Sequence, residues 1–147
     1  MSLADNLIDW RKNRNITKAD TKDYIANVIE ELLEIFTQDK KEIQLIQKHI
    51  ISTYFDREPL SKENTIDAIQ DIQVFSINET ELMGYDNKQC NDEVFKEINS
   101  REQCPMQKEI WDNWGADGKW KKSTTQDKST LYKANYSKCK RVQDEDK

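Results

Sequence analysis

The chain has 147 residues and a net charge of −5, and charged residues are as frequent as hydrophobic ones, at 35% each. This length favours one domain, and the excess of acids disfavours nucleic-acid binding as the function. Three glycines and two prolines are too few for a loop-rich β-sandwich, so the composition favours long helices.

The chain lacks the apolar runs that mark membrane spans and export signals, so we expect a cytoplasmic protein without membrane partners. The three cysteines, Cys90, Cys104 and Cys139, have no C-x-x-C spacing. This pattern predicts reduced thiols and no zinc site. His49 is the single histidine, and one histidine cannot supply a di-iron bundle, which needs two Glu-x-x-His pairs. We therefore expect His49 to be a helix-surface or packed residue and not a metal ligand.

The spacing of apolar residues predicts five main helices in chain order, at roughly 3–14, 21–37, 39–56, 62–83 and 88–102. Ser61 is the expected N-cap of the fourth helix, and Gly84 its end. That helix is apolar on nearly every side, which predicts that it is the central one. A short helical piece is expected at 107–114.

The predicted fold class is all-α, a MazG-like helical bundle with a four-helix core. Residues 1–114 form the helical domain in this prediction, and residues 115–147 form a basic, partly irregular C-terminal arm of the same domain. The aromatic side chains of the arm, Trp120, Tyr132 and Tyr136, are expected to dock on the bundle or on a partner subunit. So few apolar residues also predict that further subunits complete the bundle, as a homodimer or homotetramer.

The first acidic cluster lies in the second predicted helix. Glu30, Glu31 and Glu34 span about 100° of its circumference, opposite the apolar face. Taken alone, this cluster favours an ordinary solvated surface.

The second acidic cluster lies in the fourth predicted helix, where Asp67, Asp71 and Asn78 fall within roughly 40° of one another. They share a stripe with Val74 and Phe75, and an unpaired carboxylate in apolar surroundings is costly unless it binds something. If the two acidic helices lie antiparallel, their carboxylates converge and repel unless cations separate them. All-oxygen ligation suits Mg²⁺, with Mn²⁺ as a substitute, and Mg²⁺ commonly takes further ligands from substrate phosphates.

The segment Glu30-Glu31-Leu32-Leu33-Glu34 resembles the E-E-x-x-E signature of the all-α nucleoside triphosphate pyrophosphohydrolases. That superfamily includes MazG-like proteins, dimeric dUTPases and phosphoribosyl-ATP pyrophosphohydrolase. Its second signature is commonly E-x-x-D, and Asp71 matches the final Asp. Ala68 stands where the Glu is usual, and Asp67 is the natural substitute because i and i+4 share a helix face.

Three other segments extend this resemblance over most of residues 7–122. Trp10–Ile16 is similar to the tryptophan-led N-terminal segment of MazG-like proteins, and Gly118–Lys122 resembles the G-K-x-x-K motif. Glu93–Arg101 resembles the C-terminal helix of the family, often written E-V-x-x-S-N-M-S-K, with Ile98 in place of the usual Asn.

The resemblance implies a hydrolase that cleaves nucleoside triphosphates between the α- and β-phosphates, releasing the monophosphate and pyrophosphate. By position, Glu31, Glu34 and Asp71 would bind the metal, joined by Asp67. Glu30 would orient or deprotonate the attacking water, with a role as a further ligand as the alternative. The expected phosphate and substrate contacts are Asn78, Ser100, Arg101, Lys119, Lys122 and Trp10. Four of these have a structural alternative: a core anchor for Trp10, a helix-end charge for Arg101 and solvated charge for the two lysines.

Two alternatives stay open. One is a catalytically inactive helical interaction protein of the same fold, which the substitutions at Ala68 and Ile98 favour. The other is phosphoribosyl-ATP hydrolysis, which ranks lower because the tryptophan-led segment and the insertion at 38–61 look more MazG-like.

Overall fold

The computed structural model describes residues 1–54, 56–104, 120 and 122–142. These residues form five α-helices and no strand, which confirms the predicted all-α class. The helices are α1 Leu3–Lys12, α2 Thr21–Glu34, α3 Lys40–Thr53, α4 Lys62–Leu82 and α5 Asn87–Ser100. None of the helices in this part of the chain has the length and hydropathy needed to cross a bilayer.

The helix boundaries follow the capping residues in the sequence. As predicted, Ser61 Oγ accepts a hydrogen bond from Asn64 N–H at 3.0 Å at the start of α4, and Gly84 ends that segment with a φ of 88°. Helix α2 ends earlier than predicted because Phe36 N–H bonds to the carbonyl of Leu33, three residues back, which tightens the last turn. The helical piece predicted at 107–114 lies outside the described residues.

The chain divides into two compact units, and the first comprises Lys18–Ala68. In this unit α2 packs against α3. Ile43 on α3 is almost fully buried, with 2% of its surface exposed, and the Gln47 side-chain amide donates to the Ala26 carbonyl at 2.7 Å. The second half of α3 is more open, and His49 is exposed on the helix surface there.

The second unit comprises Met1–Thr17 and Ile69–Lys147, and in it the C-terminal arm folds back along α5. Asp86 N–H donates to the Cys139 carbonyl, and Arg141 N–H donates to the Gly84 carbonyl, both at 2.8 Å. The Arg141 side chain adds a two-pronged ion pair with Glu81, at 2.8 and 3.1 Å. The arm is therefore attached to the turn between α4 and α5 through both backbone and side chains.

In the described part of the single chain, α4 does not have neighbours on all sides, so its central place in a bundle completed by further subunits stays a prediction. Its apolar side chains are largely exposed, including 70% of Phe75, 57% of Ile66 and 51% of Val74. Among the described residues, only Ile43 and Cys139 are buried apolar side chains. A helix that is apolar on all sides needs neighbours on all sides, and the described part of one chain leaves much of α4 exposed.

Candidate functional site

The glutamate cluster on α2 converges on a cation supplied by the chain itself. Lys40 Nζ donates a hydrogen bond to Glu34 Oε1 at 3.2 Å and lies 3.8 Å from Glu30 Oε1. Both glutamates are partly shielded, whereas the lysine side chain is 66% exposed. Two of the three predicted site residues on α2 are thus brought together around one positive charge.

The turn between α2 and α3 places Lys40 at this position. Asp39 caps α3 by accepting hydrogen bonds from Lys41 N–H and Glu42 N–H, at 3.0 and 3.3 Å. Lys40 is the first residue of the capped helix, so its backbone is held at the end of α2 that carries the glutamates. Helix α2 has no basic residue of its own in its last turn, and Lys40 supplies the charge that favours a helix C-terminus.

The glutamates also change the acidity of Lys40. The hydrogen bond to Glu34 and the charge of Glu34 raise the pKa of Lys40, and the charges of Glu30 and Glu31 add to the effect. All three glutamates of the E-E-x-x-E segment therefore act electrostatically on the same ammonium group. The ammonium is charged throughout the neutral pH range.

The donor chemistry on α2 fits a hard divalent cation. Glu30 and Glu34 offer carboxylate oxygens to one point, where the Lys40 ammonium now stands in for such a cation. Mg²⁺ commonly uses only one or two protein carboxylates and takes its other ligands from water and substrate phosphates. In the described ranges, no group of three or more His, Cys, Asp or Glu side chains is arranged to hold a metal ion.

The predicted site residues of α4 are exposed, and this changes the argument made for them. Asp67 belongs to the unit Lys18–Ala68, whereas Asp71 and Asn78 belong to the other unit, and all three are solvent-exposed. The stripe around them is exposed too, so the cost of burying an unpaired carboxylate does not arise in the single chain. Their roles in metal or substrate binding stay predictions that rest on the sequence pattern.

At the end of α5, Ser100 serves the C-terminal arm. Its hydroxyl accepts a hydrogen bond from Tyr132 N–H at 2.8 Å and donates one to the Glu97 carbonyl at 2.7 Å. The neighbouring Arg101 lies 3.8 Å from Glu97 in a partly exposed ion pair. Ser100 is thus engaged within the fold, whereas Arg101 makes only a long and weak pair that a phosphate can replace.

The remaining predicted substrate contacts have different surroundings. Trp10 packs edge-to-face on Trp120 with ring centroids 5.2 Å apart, and the Arg14 guanidinium lies 4.4 Å from the centre of the Trp10 ring. This contact joins α1 to the arm, and the indole N–H of Trp10 is buried without a hydrogen-bond partner in the described structure. The substrate role of Trp10 stays a prediction. Lys122 is exposed, and Lys119 lies outside the described residues.

Sequence reasoning missed the most buried charge of the described residues. Glu93 on α5 is 3% exposed, and it accepts hydrogen bonds from Tyr132 O–H at 2.6 Å, Asn135 N–H at 3.0 Å and Lys96 Nζ at 3.0 Å. The Tyr132 bond, followed by those of Lys96 and Asn135, lowers the pKa of Glu93 to about 2. Two of its partners are 39 and 42 residues away, so no local pattern points to it. Together with the edge-to-face contact of Trp120, the Tyr132 bond confirms the predicted docking for two of the three arm aromatics, Trp120 and Tyr132.

Of the three cysteines, Cys90 has a thiol whose surroundings disfavour the reactive thiolate. All three are free thiols, and Cys139 is fully buried. Burial and a hydrogen bond with Cys139 raise the pKa of Cys90 to about 11. Since the thiolate is the reactive form, Cys90 is protonated and unreactive at neutral pH.

The five helices define an all-α protein, and a cluster of glutamates lies at the C-terminal end of α2. No protein-family model, curated protein or solved structure matches the chain. The resemblance to the pyrophosphohydrolases therefore rests on the sequence motifs alone.

Proposed function

We propose that the protein is a Mg²⁺-dependent nucleoside triphosphate pyrophosphohydrolase that releases a nucleoside monophosphate and pyrophosphate. The observation that carries the proposal is the convergence of Glu30 and Glu34 on one cation position. These two glutamates are the first and last acids of the E-E-x-x-E segment, so the chemical interpretation of the motif and the local geometry agree. The all-α class agrees with it as well.

In this proposal the glutamates of α2 hold and orient the reacting groups. Mg²⁺ would neutralise the charge of the phosphates and polarise them. Glu31 and Glu34 would hold it, with Asp67 and Asp71 as the further ligands predicted from sequence. Glu30 would orient the attacking water and accept its proton, or it would join Glu34 as a ligand, since both acids pair with the same ammonium group.

Basic side chains beyond α2 would hold the phosphates. Arg101 suits this role because a guanidinium can contact two phosphate oxygens at once and its pair with Glu97 is long, at 3.8 Å. Lys122 is exposed and uncommitted to any ion pair among the described residues, and Lys119 is assigned from the motif alone.

A panel of ribo- and deoxyribonucleoside triphosphates with Mg²⁺ tests the proposal, with pyrophosphate and nucleoside monophosphate measured separately. We expect equal amounts of the two products from at least one nucleotide. Release of inorganic phosphate in place of pyrophosphate would contradict cleavage between the α- and β-phosphates. No turnover of any nucleotide would refute the enzyme. Phosphoribosyl-ATP belongs in the same panel, and selective turnover of it would favour that alternative.

We further propose that a second copy of the chain covers α4, as part of a MazG-like bundle. The supporting observation is the small number of buried apolar side chains in the described residues, beside exposed large ones on α4 such as Phe75 and Leu82. A domain of this length needs more buried apolar surface to be stable. An exposed apolar face of this kind typically marks an association site.

Phe75→Asp is therefore expected to convert an oligomer into a monomer, because it places a charge in the apolar contact. Multi-angle light scattering at micromolar concentration measures the change, and circular dichroism checks that the helices persist. Gln73→Asp is the matched control, since Gln73 lies on the opposite side of the same helix, about 160° away. A monomeric wild type would contradict the prediction.

A helical interaction protein without activity is the second candidate. The exposure of the apolar residues of α4 favours it, because this surface offers a docking site independent of any chemistry. Stable oligomers combined with no turnover in the nucleotide panel would select this candidate.

A further inference from the structure

Lys40 pairs with two of the three glutamates of the E-E-x-x-E segment, on which the proposed function places its divalent cation. Its ammonium nitrogen lies 3.2 Å from Glu34 Oε1 and 3.8 Å from Glu30 Oε1. We infer that Lys40 is an internal competitor of the metal, which neutralises the glutamates when no cation is bound and is displaced when one binds. This inference rests on the metal site of the proposed function, and it concerns a residue that the motif does not include.

The competition follows from the atoms involved. An ammonium group has three donors and no lone pair, so it cannot ligate the metal and can only contend for the same oxygens. Two cations that share these carboxylate oxygens also repel each other. Lys40 and a divalent cation therefore exclude each other at Glu34 Oε1.

Displacement of Lys40 requires only a side-chain movement. The Lys40 side chain is 66% exposed, and its four-carbon stem can swing into water. Its backbone is held independently, because Asp39 caps α3 through Lys41 N–H and Glu42 N–H. Exposed ion pairs contribute little free energy, so the lysine weakens metal binding without preventing it.

A purely structural role for Lys40 makes a different prediction. If the lysine only stabilises the C-terminal end of α2, then removing its charge lowers stability and leaves metal affinity unchanged. Under competition, removing the charge raises metal affinity. It also increases the stabilisation that the metal provides, because a ligand stabilises a fold according to its affinity.

The test is a titration with Mn²⁺ alone, in which the electron paramagnetic resonance signal of free Mn²⁺ measures binding at constant ionic strength. Lys40→Met is expected to lower the dissociation constant about threefold to tenfold, the range set by loss of two exposed ion pairs. Lys41→Met is the matched control, because it removes the same charge from the next residue, and it should leave the constant within about twofold of wild type. Lys40→Arg keeps the charge and should stay closer to wild type than to Lys40→Met.

The thermal shift caused by Mn²⁺ supplies a second readout, and it should be larger for Lys40→Met than for Lys41→Met. Equal affinities of these two variants, weaker binding by Lys40→Met, or no Mn²⁺ binding by any variant would each overturn the inference. A difference in Mn²⁺ affinity without nucleotide hydrolysis would refute the proposed enzyme and leave the role of Lys40 standing. Nucleotide hydrolysis combined with identical Mn²⁺ affinities of Lys40→Met and Lys41→Met would support the proposed enzyme and refute the role of Lys40.

Discussion

Glu34→Gln is expected to lower the rate of pyrophosphate release by at least about 100-fold, because it removes a charged oxygen ligand from the proposed cation site. Its carboxylate is the closest partner of Lys40, at 3.2 Å, which makes it the acid of the E-E-x-x-E segment most directly engaged with a cation in the described structure. The amide is almost the same size as the carboxylate, so the loss reports charge and not packing. Steady-state rates at saturating Mg²⁺ and nucleotide measure the effect.

Glu42→Gln is the control for this substitution. Glu42 lies in the first turn of α3 and is exposed, and it accepts a hydrogen bond from Thr37 Oγ1 at 3.1 Å. The same chemical change at this position should leave the rate within about twofold of wild type, since surface changes away from a site have small effects. A Glu34→Gln variant with near-normal activity would remove Glu34 from the site.

The second large effect is expected from Glu93→Gln, which should lower the melting temperature by about 5–10 °C at pH 7. The carboxylate is 3% exposed and accepts from Tyr132, Asn135 and Lys96. In the variant one oxygen becomes an amide NH₂, a donor that cannot accept from Lys96 or replace the charge. The arm that Tyr132 and Asn135 attach to α5 should also become more sensitive to proteases.

The pH dependence of this effect follows from the pKa of Glu93, which folding lowers from 4.5 to about 2. A carboxyl with a lowered folded-state pKa contributes stability that is present above pH 4.5 and is lost as the pH falls towards 2. The difference in melting temperature between wild type and Glu93→Gln should therefore be full at neutral pH and shrink over this window. Thermal unfolding followed by circular dichroism measures it.

Asp92→Asn is the matched control for Glu93→Gln, because Asp92 is the exposed neighbour of Glu93 on α5. It should leave the melting temperature almost unchanged, as expected for a surface substitution. A Glu93→Gln variant as stable as wild type at pH 7 would show that the charge of Glu93 does not hold the arm.

The sequence predicted where the helices lie better than it predicted the surroundings of the site residues. The start and end of α4 were predictable because Ser61 and Gly84 act through bonds and dihedral angles within one turn of their own positions. The place of α4 was not, because a helix that is apolar all round does not reveal which side its neighbours occupy. The exposure of Asp67 and Asp71 was not predictable for the same reason, because both residues lie on α4.

Lys40 and Glu93 are single side chains whose partners the sequence pattern did not reveal. Lys40 follows Glu34 by six residues, a spacing that places no two residues on a common helix face, and a turn between two helices brings them together. Glu93 matches the first position of the E-V-x-x-S-N-M-S-K motif, but two of its hydrogen-bond partners come from the arm. Neither partnership has a local periodicity that could predict it.

The sequence by itself determined the all-α class, the helix caps and the E-E-x-x-E cluster with the chemistry it suggests, because these depend on contacts within a few residues. Only the tertiary structure decided that Lys40 is the cation between the glutamates, that Glu93 is buried beneath the arm and that α4 is exposed. The Lys40 pairing depends on the turn that joins two helices, and the burial of Glu93 depends on partners 39 and 42 residues away in the arm. The exposure of α4 depends on which segments pack against it, and no local pattern reports that.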